Sequence, residues 1–208
     1  EAIAALSCGI TTPVTLYLID PNYNTTTGET FPVVLGSVPG ASSVNTITIK
    51  PDVSTSPVIG ANNGAPVFTF STGNYFIIDG SNTTGGTTKD MSIRDSSTSA
   101  AVVVFQNDAS NNTVKNTNIA GRNTSATSGL ILFSTTSLTT GNDNNTINNN
   151  NISDESGNAP VNGVYAAGTS GKENNNNTIS GNNIFNWTTN GINITGTGNN
   201  DNGWSIAN

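Results

Sequence analysis

The feature that most constrains this chain is a short motif returning at nearly constant spacing. Asn111-Asn112-Thr113-Val114-Lys115-Asn116-Thr117-Asn118-Ile119 aligns with Asn144-Asn145-Thr146-Ile147-Asn148-Asn149-Asn150-Asn151-Ile152 and with Asn176-Asn177-Thr178-Ile179-Ser180-Gly181-Asn182-Asn183-Ile184. Each copy reads N-N-T-aliphatic-x-x-x-N-Ile, and the copies start at 111, 144 and 176. A third apolar run recurs between them: Val102 to Phe105, Leu130 to Phe133, Gly163 to Ala166 and Gly191 to Ile194. The order of three short runs per period of about 30 residues predicts a solenoid whose every turn contributes three strands. A helical reading fails, because Thr, Asn, Val and Ile are weak helix formers and Gly interrupts every window. An antiparallel sandwich gives the same strand no reason to recur at fixed spacing.

In a parallel β-helix, each strand pairs with its equivalent in the next coil, so equivalent side chains stack along the axis. Val114, Ile147 and Ile179 are then expected to form one inward aliphatic ladder, and Ile119, Ile152 and Ile184 a second. Asn112, Asn145 and Asn177 are expected in an asparagine ladder beside them, where the chain bends. Asn tolerates left-handed backbone angles, and its amide can bond the Asn of neighbouring coils. The N-terminal half is less regular. It offers strand candidates at Val14 to Ile19, Phe31 to Leu35, Thr46 to Lys50, Val67 to Phe70, Tyr75 to Ile78 and Met91 to Arg94. The fold class is therefore all-β: a right-handed parallel β-helix of about seven coils, read as one domain over 1–208, about 30 to 35 Å long at the usual strand spacing.

Two end features complete this reading. Glu1-Ala2-Ile3-Ala4-Ala5-Leu6 groups good helix formers, with Ala2, Ile3, Ala5 and Leu6 on one apolar face. A short capping helix is expected within 1–8, because a solenoid's first coil needs cover. At the other end Gly203 to Asn208 reads as the start of a further strand with no polar cap. Trp204 and Ile206 mark it as a possible assembly end, and the chain is expected to be a segment of a longer exported protein or a fibre subunit.

Composition sharpens what the chain excludes. Hydrophobic residues make up 33% and charged residues 9%, with Asn at about one residue in six. Disordered chains that are this poor in apolar residues are usually rich in charge. The longest apolar runs are about four to six residues, far below the ~18 of a membrane span. A net charge of −7, with six scattered Lys and Arg, leaves no nucleic-acid footprint. The single cysteine, Cys8, cannot form an internal disulfide and is expected to be a small buried or capping residue.

Several stretches resemble the secreted right-handed β-helix surface proteins of Bacteroidetes, described as pectin-lyase-like. They are Glu1 to Leu6 followed by Gly9 to Leu16; Gly28-Glu29-Thr30-Phe31-Pro32; Asn45 to Pro51; and Tyr75-Phe76-Ile77-Ile78-Asp79-Gly80-Ser81, together with the N-N-T repeats. The resemblance implies an extracellular or cell-surface location and a structural, adhesive or filamentous task. It implies no specific activity.

Because many β-helices act on polysaccharides, catalytic constellations need testing. There is no histidine, which removes His bases, Ser-His-Asp triads and His-ligated metals. Asp154-Glu155 is the only adjacent acidic pair, and adjacent strand residues face opposite sides. It is expected in a solvated loop within Ser153 to Asn158. Arg94 with Asp95, and Lys89 with Asp90, are expected as exposed ion pairs or rim residues. Gly141 to Asn144 and Asn199 to Gly203 are oxygen-rich, but each holds one carboxylate, too few for an ordinary calcium site. No cofactor is expected, with calcium the one ion entertained. Glycosylation-like triplets at Asn24, Asn82, Asn123 and Asn193 follow from composition. Trp187, Trp204, Tyr23 and Tyr165 could stack on sugars only if exposed. Thr pairs do not recur in register, as an ice-binding face would require. The expected function is an extracellular structural scaffold acting by self-association or adhesion, not an enzyme, with surface glycans as possible partners. A carbohydrate-binding or polysaccharide-degrading β-helix is the second reading.

Overall fold

In the computed structural model, which describes residues 2–135, 138–195 and 201–207, extended segments and tight corners alternate with nearly every inward position aliphatic, aromatic or amide. The first sheet stacks β1 (Val14–Leu18), β4 (Ile47–Pro51), β7 (Phe76–Asp79), β10 (Thr113–Lys115), β13 (Thr146–Asn148), β16 (Thr178–Ser180) and β19 (Ser205–Ala207). The second stacks β2 (Asn22–Asn24), β5 (Val58–Ala61), β8 (Met91–Asp95), β11 (Thr117–Gly121), β14 (Asn151–Asp154) and β17 (Asn183–Ile184). The third stacks β3 (Val33–Leu35), β6 (Phe68–Ser71), β9 (Val103–Gln106), β12 (Ile131–Phe133), β15 (Asn162–Ala167) and β18 (Asn190–Thr195). Every strand pair is parallel, and the chain visits the three sheets in turn, which makes a β-solenoid.

The period-two alternation sends one side chain of each strand into the lumen and the next outward. In the first sheet, Leu16, Ile49, Ile78, Val114, Ile147, Ile179 and Ile206 stack in one column. In the second, Tyr23, Ile59, Ile93, Ile119, Ile152 and Ile184 do the same. The third sheet contributes Phe70, Phe105 and Phe133, whose rings stack at centroid distances of 4.6 Å. That spacing matches the inter-strand distance, so the rings stack without tilting the backbone. These columns merge into one buried apolar cluster running from Leu6 to Ile179.

α1 (Ala2–Ala5) continues into a 3-10 turn over Leu6–Cys8. Leu6 is buried and Ile3 packs on the core, which seats the helix over the first coil. Ala2 and Ala5 do not share that burial. Cys8 is exposed rather than buried, because Ile3 and Leu6 occupy the inward side and Cys8 follows them on the outer one. Two strands lie where none is expected from sequence. β2 has only Tyr23 to anchor it, and β5 carries a glycine behind Pro57.

Candidate functional site

The polar counterpart of the core begins at the corners. In each repeat the first Asn of the doublet takes positive φ: 59° at Asn111, 58° at Asn144 and 56° at Asn176. This turns the chain into the first sheet. The second Asn then points inward, and Asn112, Asn145 and Asn177 are all fully buried. The motif repeats this division at its second corner. Asn116, Asn149 and Gly181 take positive φ, while Thr117, Asn150 and Asn182 point inward. Asn and Gly are the residues that enter this backbone region at least cost, which is why they recur there.

The inward amides form directional ladders. Asn145 Oδ1 accepts from the Asn112 N–H and from Asn112 Nδ2, each at 3.0 Å. Asn177 Oδ1 accepts likewise from Asn145, at 2.8 and 3.2 Å. The Nδ2 groups also donate to backbone carbonyls one coil back: Asn112 to Gly73, Asn145 to Ala109 and Asn177 to Asn142. In the second ladder, Asn150 Oδ1 accepts from the Thr117 N–H and hydroxyl, and Asn182 Oδ1 accepts from Asn150 N–H and Nδ2. A third runs Ala109, Asn142, Asn174, Asp201: each Oδ1 accepts the N–H of the preceding coil. In each ladder the later coil's Oδ1 accepts from the earlier coil, and in the first two the later coil's Nδ2 also donates back to an earlier carbonyl. The amide's two ends match this geometry in the first two ladders, which are held without charge, whereas the third ends on a carboxylate and leaves Asn174 Nδ2 and Asp201 Oδ2 without a partner among the described residues.

Trp204 stands in the first ladder's column one coil beyond Asn177, since β19 pairs with β16. Its Nε1–H donates to Asn174 O at 2.7 Å, the bond that Nδ2 makes elsewhere. Its ring meets Phe133 edge-on at 4.9 Å. Ile206, last in the aliphatic column, is 53% exposed.

The residues considered for chemistry are occupied otherwise. Asp154 accepts from Gly157 N–H and Asn186 Nδ2, and Glu155 pairs with Arg94 at 2.9 Å. Both are half-buried, at the end of β14 and in the turn after it, rather than solvated. Arg94 therefore bridges to the next-but-one coil, not to Asp95. Asp95 corrects the expectation of an exposed rim pair: alternation along β8 turns Met91, Ile93 and Asp95 inward together. It is fully buried, its Oδ1 accepts from Ser97 N–H, and its Oδ2 has no partner among the described residues. Burial raises its pKa to about 6, against the lowering effect of the Ser97 hydrogen bond. Lys89 donates to Asn149 Oδ1, and Asp90 accepts from Asn82 N–H and Thr88.

The oxygen-rich loops serve coil-to-coil contacts. Asp143 accepts from Asn175 N–H, Asp201 from Asn174 N–H, and Asn175 Oδ1 from Asn202 N–H. Residues 199 and 200 of the second loop lie outside the described residues. Burial raises the carboxyl pKa of Asp143 and Asp201, with nearby Glu173 adding to both. For Asp108 burial pushes upward too, but hydrogen bonds from Thr139, Gly141 and Thr140 outweigh it and hold the carboxyl at about 2. Among the described residues, no three Asp, Glu, Cys or His side chains converge as metal ligands. Tyr165 and Asn123 are buried, and Asn24 caps the 3-10 turn Thr25–Thr27. Tyr23 accepts from the Asp20 N–H, and Trp187 is 42% exposed.

The second and third ladders were not expected from sequence. Their signal lay in the same alignment, in the seventh motif position (Thr117, Asn150, Asn182) and in the quartets Ala109 to Asn112, Asn142 to Asn145, Asn174 to Asn177 and Asp201 to Trp204. Thr117 and Ala109 mask it by replacing Asn at one rung each. No protein-family model, curated protein or solved structure matches the chain. No helix among the described residues is long and apolar enough to cross a membrane.

Proposed function

We propose that this chain is an extracellular structural scaffold, a cell-surface or filament module that works by stiffness and by self-association or adhesion. It is read as a right-handed parallel β-helix of about seven coils. Right-handed crossovers between parallel strands are the rule by a wide margin, which supports the hand. The seven strands of the first sheet support the count.

The observation that carries the functional reading is where the polar side chains spend their hydrogen bonds. Amide columns and corner carboxylates join one coil to the next, and the Arg94–Glu155 pair spans two coils, so Asp143, Asp154 and Glu155 are engaged in coil-to-coil bonds. A cleft of convergent free carboxylates, which polysaccharide cleavage needs, is not what these residues build. Secretion and surface display rest on the resemblance of the opening segments and repeats to exported β-helix proteins. Static light scattering across concentration and salt, followed by electron microscopy, tests the scaffold reading. Extended assemblies are expected. A strictly monomeric chain at high concentration, or reproducible polysaccharide turnover lost on Asp154→Asn or Glu155→Gln, overturns it in favour of a carbohydrate-active protein.

A further inference from the structure

The sequence holds four Asn-Gly pairs, beginning at Asn63, Asn162, Asn190 and Asn202. Glycine has no side chain to block its backbone nitrogen from the side-chain carbonyl carbon of the residue before it, so such a pair can close into a succinimide ring. Closure makes two demands. The peptide unit joining the two residues must be able to turn, and the side-chain amide nitrogen must be able to leave. The fold denies these at three pairs and grants them at one.

Asn162 is buried, and its Nδ2 donates to Ala126 O and Ser128 O at 3.3 and 2.7 Å. Its carbonyl, part of the peptide unit that would have to turn, accepts from the Leu130 N–H. Asn190 pairs with Asn162 at the start of β18, and its Nδ2 donates to Asn162 Oδ1 at 2.9 Å. Asn202 is exposed, but its carbonyl accepts from the Asn176 N–H and its own N–H donates to Asn175 Oδ1, each at 2.8 Å. Its peptide units are thereby fastened to the coil before.

Asn63 lies in the corner between the second and third sheets, and it and Gly64 are exposed. The coil-to-coil backbone bonds stop at Ala61 O, which accepts from Ser96, and resume at the Val67 N–H, which donates to Val102 O. Between them, neither Asn63 nor Gly64 has a backbone hydrogen bond to any described residue. The side chain of Asn63 makes one bond: its Oδ1 accepts from the Ala65 N–H at 3.2 Å. That bond draws electrons from Cγ and leaves the departing nitrogen untied. Gly64 has a φ of 80°, and a Cβ built on it would meet only Ser99 Oγ, at 3.7 Å, so the ring has room to form.

We propose that Asn63 is a site of spontaneous modification selected by the fold. The Gly64 backbone nitrogen bonds to Asn63 Cγ, the Cγ–Nδ2 bond breaks, and the Gly64 amide proton leaves with Nδ2 as ammonia. A five-membered imide remains. Water then adds to one of its two carbonyls and opens it to aspartate or to the β-linked isoaspartate. Either product places a new carboxylate on an exposed corner. Asn63 makes no coil-to-coil bond, so the ladders are untouched and the intact rod gathers a mark of its age.

The test uses the intact chain at neutral pH and physiological temperature, with a second sample held unfolded in urea. Peptide mass spectrometry follows the gain of about one dalton at each Asn-Gly pair. In the folded chain, conversion at Asn63 is expected to be at least tenfold faster than at Asn162, Asn190 or Asn202. In urea the four rates are expected to converge, because the local Asn-Gly sequence alone then governs them. A folded chain in which Asn63 reacts no faster than the other three overturns the proposal. The same ranking in urea also overturns it, by assigning the preference to flanking sequence rather than to the fold. So does loss of the β signal on circular dichroism in step with the mass gain, which would route the reaction through unfolding.

Discussion

The coils before Phe76 and those after Asn112 use the same corner in opposite ways. Ile47 and Phe76 occupy the inward position that Asn112, Asn145 and Asn177 occupy farther along, in one continuous register. All five are buried completely. At the junction the Phe76 N–H donates to Asn112 Oδ1, so the first amide reaches back to a coil that has no amide to offer. An apolar side chain in this slot needs only volume around it. An amide there needs a donor and a carbonyl acceptor in the coil behind it and a further acceptor in the coil in front. The N-terminal region is therefore held by independent contacts and the C-terminal region by linked ones, and substitutions should separate the two.

The largest effect is expected from charge in the shared aliphatic column. Ile147 is fully buried between Val114 and Ile179. Ile147→Asp places an unpaired carboxylate there and should cost about 5 kcal/mol or prevent folding. Circular dichroism against denaturant checks it; a variant that melts like the parent would remove Ile147 from the core.

Next comes the ladder itself. Asn145→Leu keeps the branched shape but leaves the Asn112 N–H without its acceptor and Ala109 O without its side-chain donor, while Asn112 Nδ2 keeps Gly73 O and Asn177 Oδ1 keeps the Asn145 backbone N–H. A loss of about 3 kcal/mol is expected, with faster amide exchange at Asn112. Ile47→Val in the apolar half should cost only about 1 kcal/mol and leave its neighbours' exchange unchanged. If both variants behave alike, the distinction between linked and independent coils fails.

This contrast also explains what was legible beforehand. The three-strand period and the aliphatic columns Val114–Ile147–Ile179 and Ile119–Ile152–Ile184 are readable because a one-residue slip would turn every one of them outward. The sequence places both the ladder and the bend on the second Asn of each doublet, whereas the positive φ belongs to Asn111, Asn144 and Asn176. Asn111 and Asn112 are chemically identical, and only the carbonyls and N–H groups of adjacent coils decide which one turns and which one points in. β2 and β5 escaped because Asn22-Tyr23-Asn24 lacks an aliphatic residue and Gly60 weakens Val58 to Ala61. Asp95 was misplaced for the opposite reason. Its alternation with Met91 and Ile93 points inward plainly, but a carboxylate beside Arg94 invites an exposed pair, and Arg94 reaches Glu155 instead.

Asp95 supplies a smaller, pH-dependent test, since it lies at the end of β8 in a coil of neither kind. Its pKa is raised from 3.8 to about 6 by burial, so folding disfavours its ionised form. The favourable contribution of the neutral acid is complete below pH 3.8 and is lost as pH rises through about 6. Stability should therefore fall between pH 4 and pH 7, by on the order of 2 kcal/mol from this group. Asp143 and Asp201, shifted in the same direction, add to the slope. Asp95→Asn retains an acceptor for the Ser97 N–H and removes the charge. It should melt higher than the parent at pH 7 and show a flatter profile between pH 4 and 7. An unchanged slope in the variant would mean that Asp95 does not titrate in this window.

The smallest effect isolates the corner from the ladder. Asn144 has a φ of 58°, its side chain is exposed, and its backbone N–H donates to Asn175 O. A substitution there changes what the backbone tolerates and leaves the inward amide of Asn145 in place. Asn144→Ala should cost about 1 kcal/mol, because a Cβ with no local polar group resists the left-handed region. Asn144→Gly should be nearly neutral: glycine enters that region freely but loses more entropy on folding, and the two effects offset. Gly203 already holds the equivalent corner, and Gly181 the motif's second corner, at φ values of 69° and 61°. Thermal melts of the two variants side by side give the comparison. If Ala and Gly are equally costly, the Asn144 side chain contributes a contact of its own, and the division of the doublet into one turning and one bonding residue has to be redrawn.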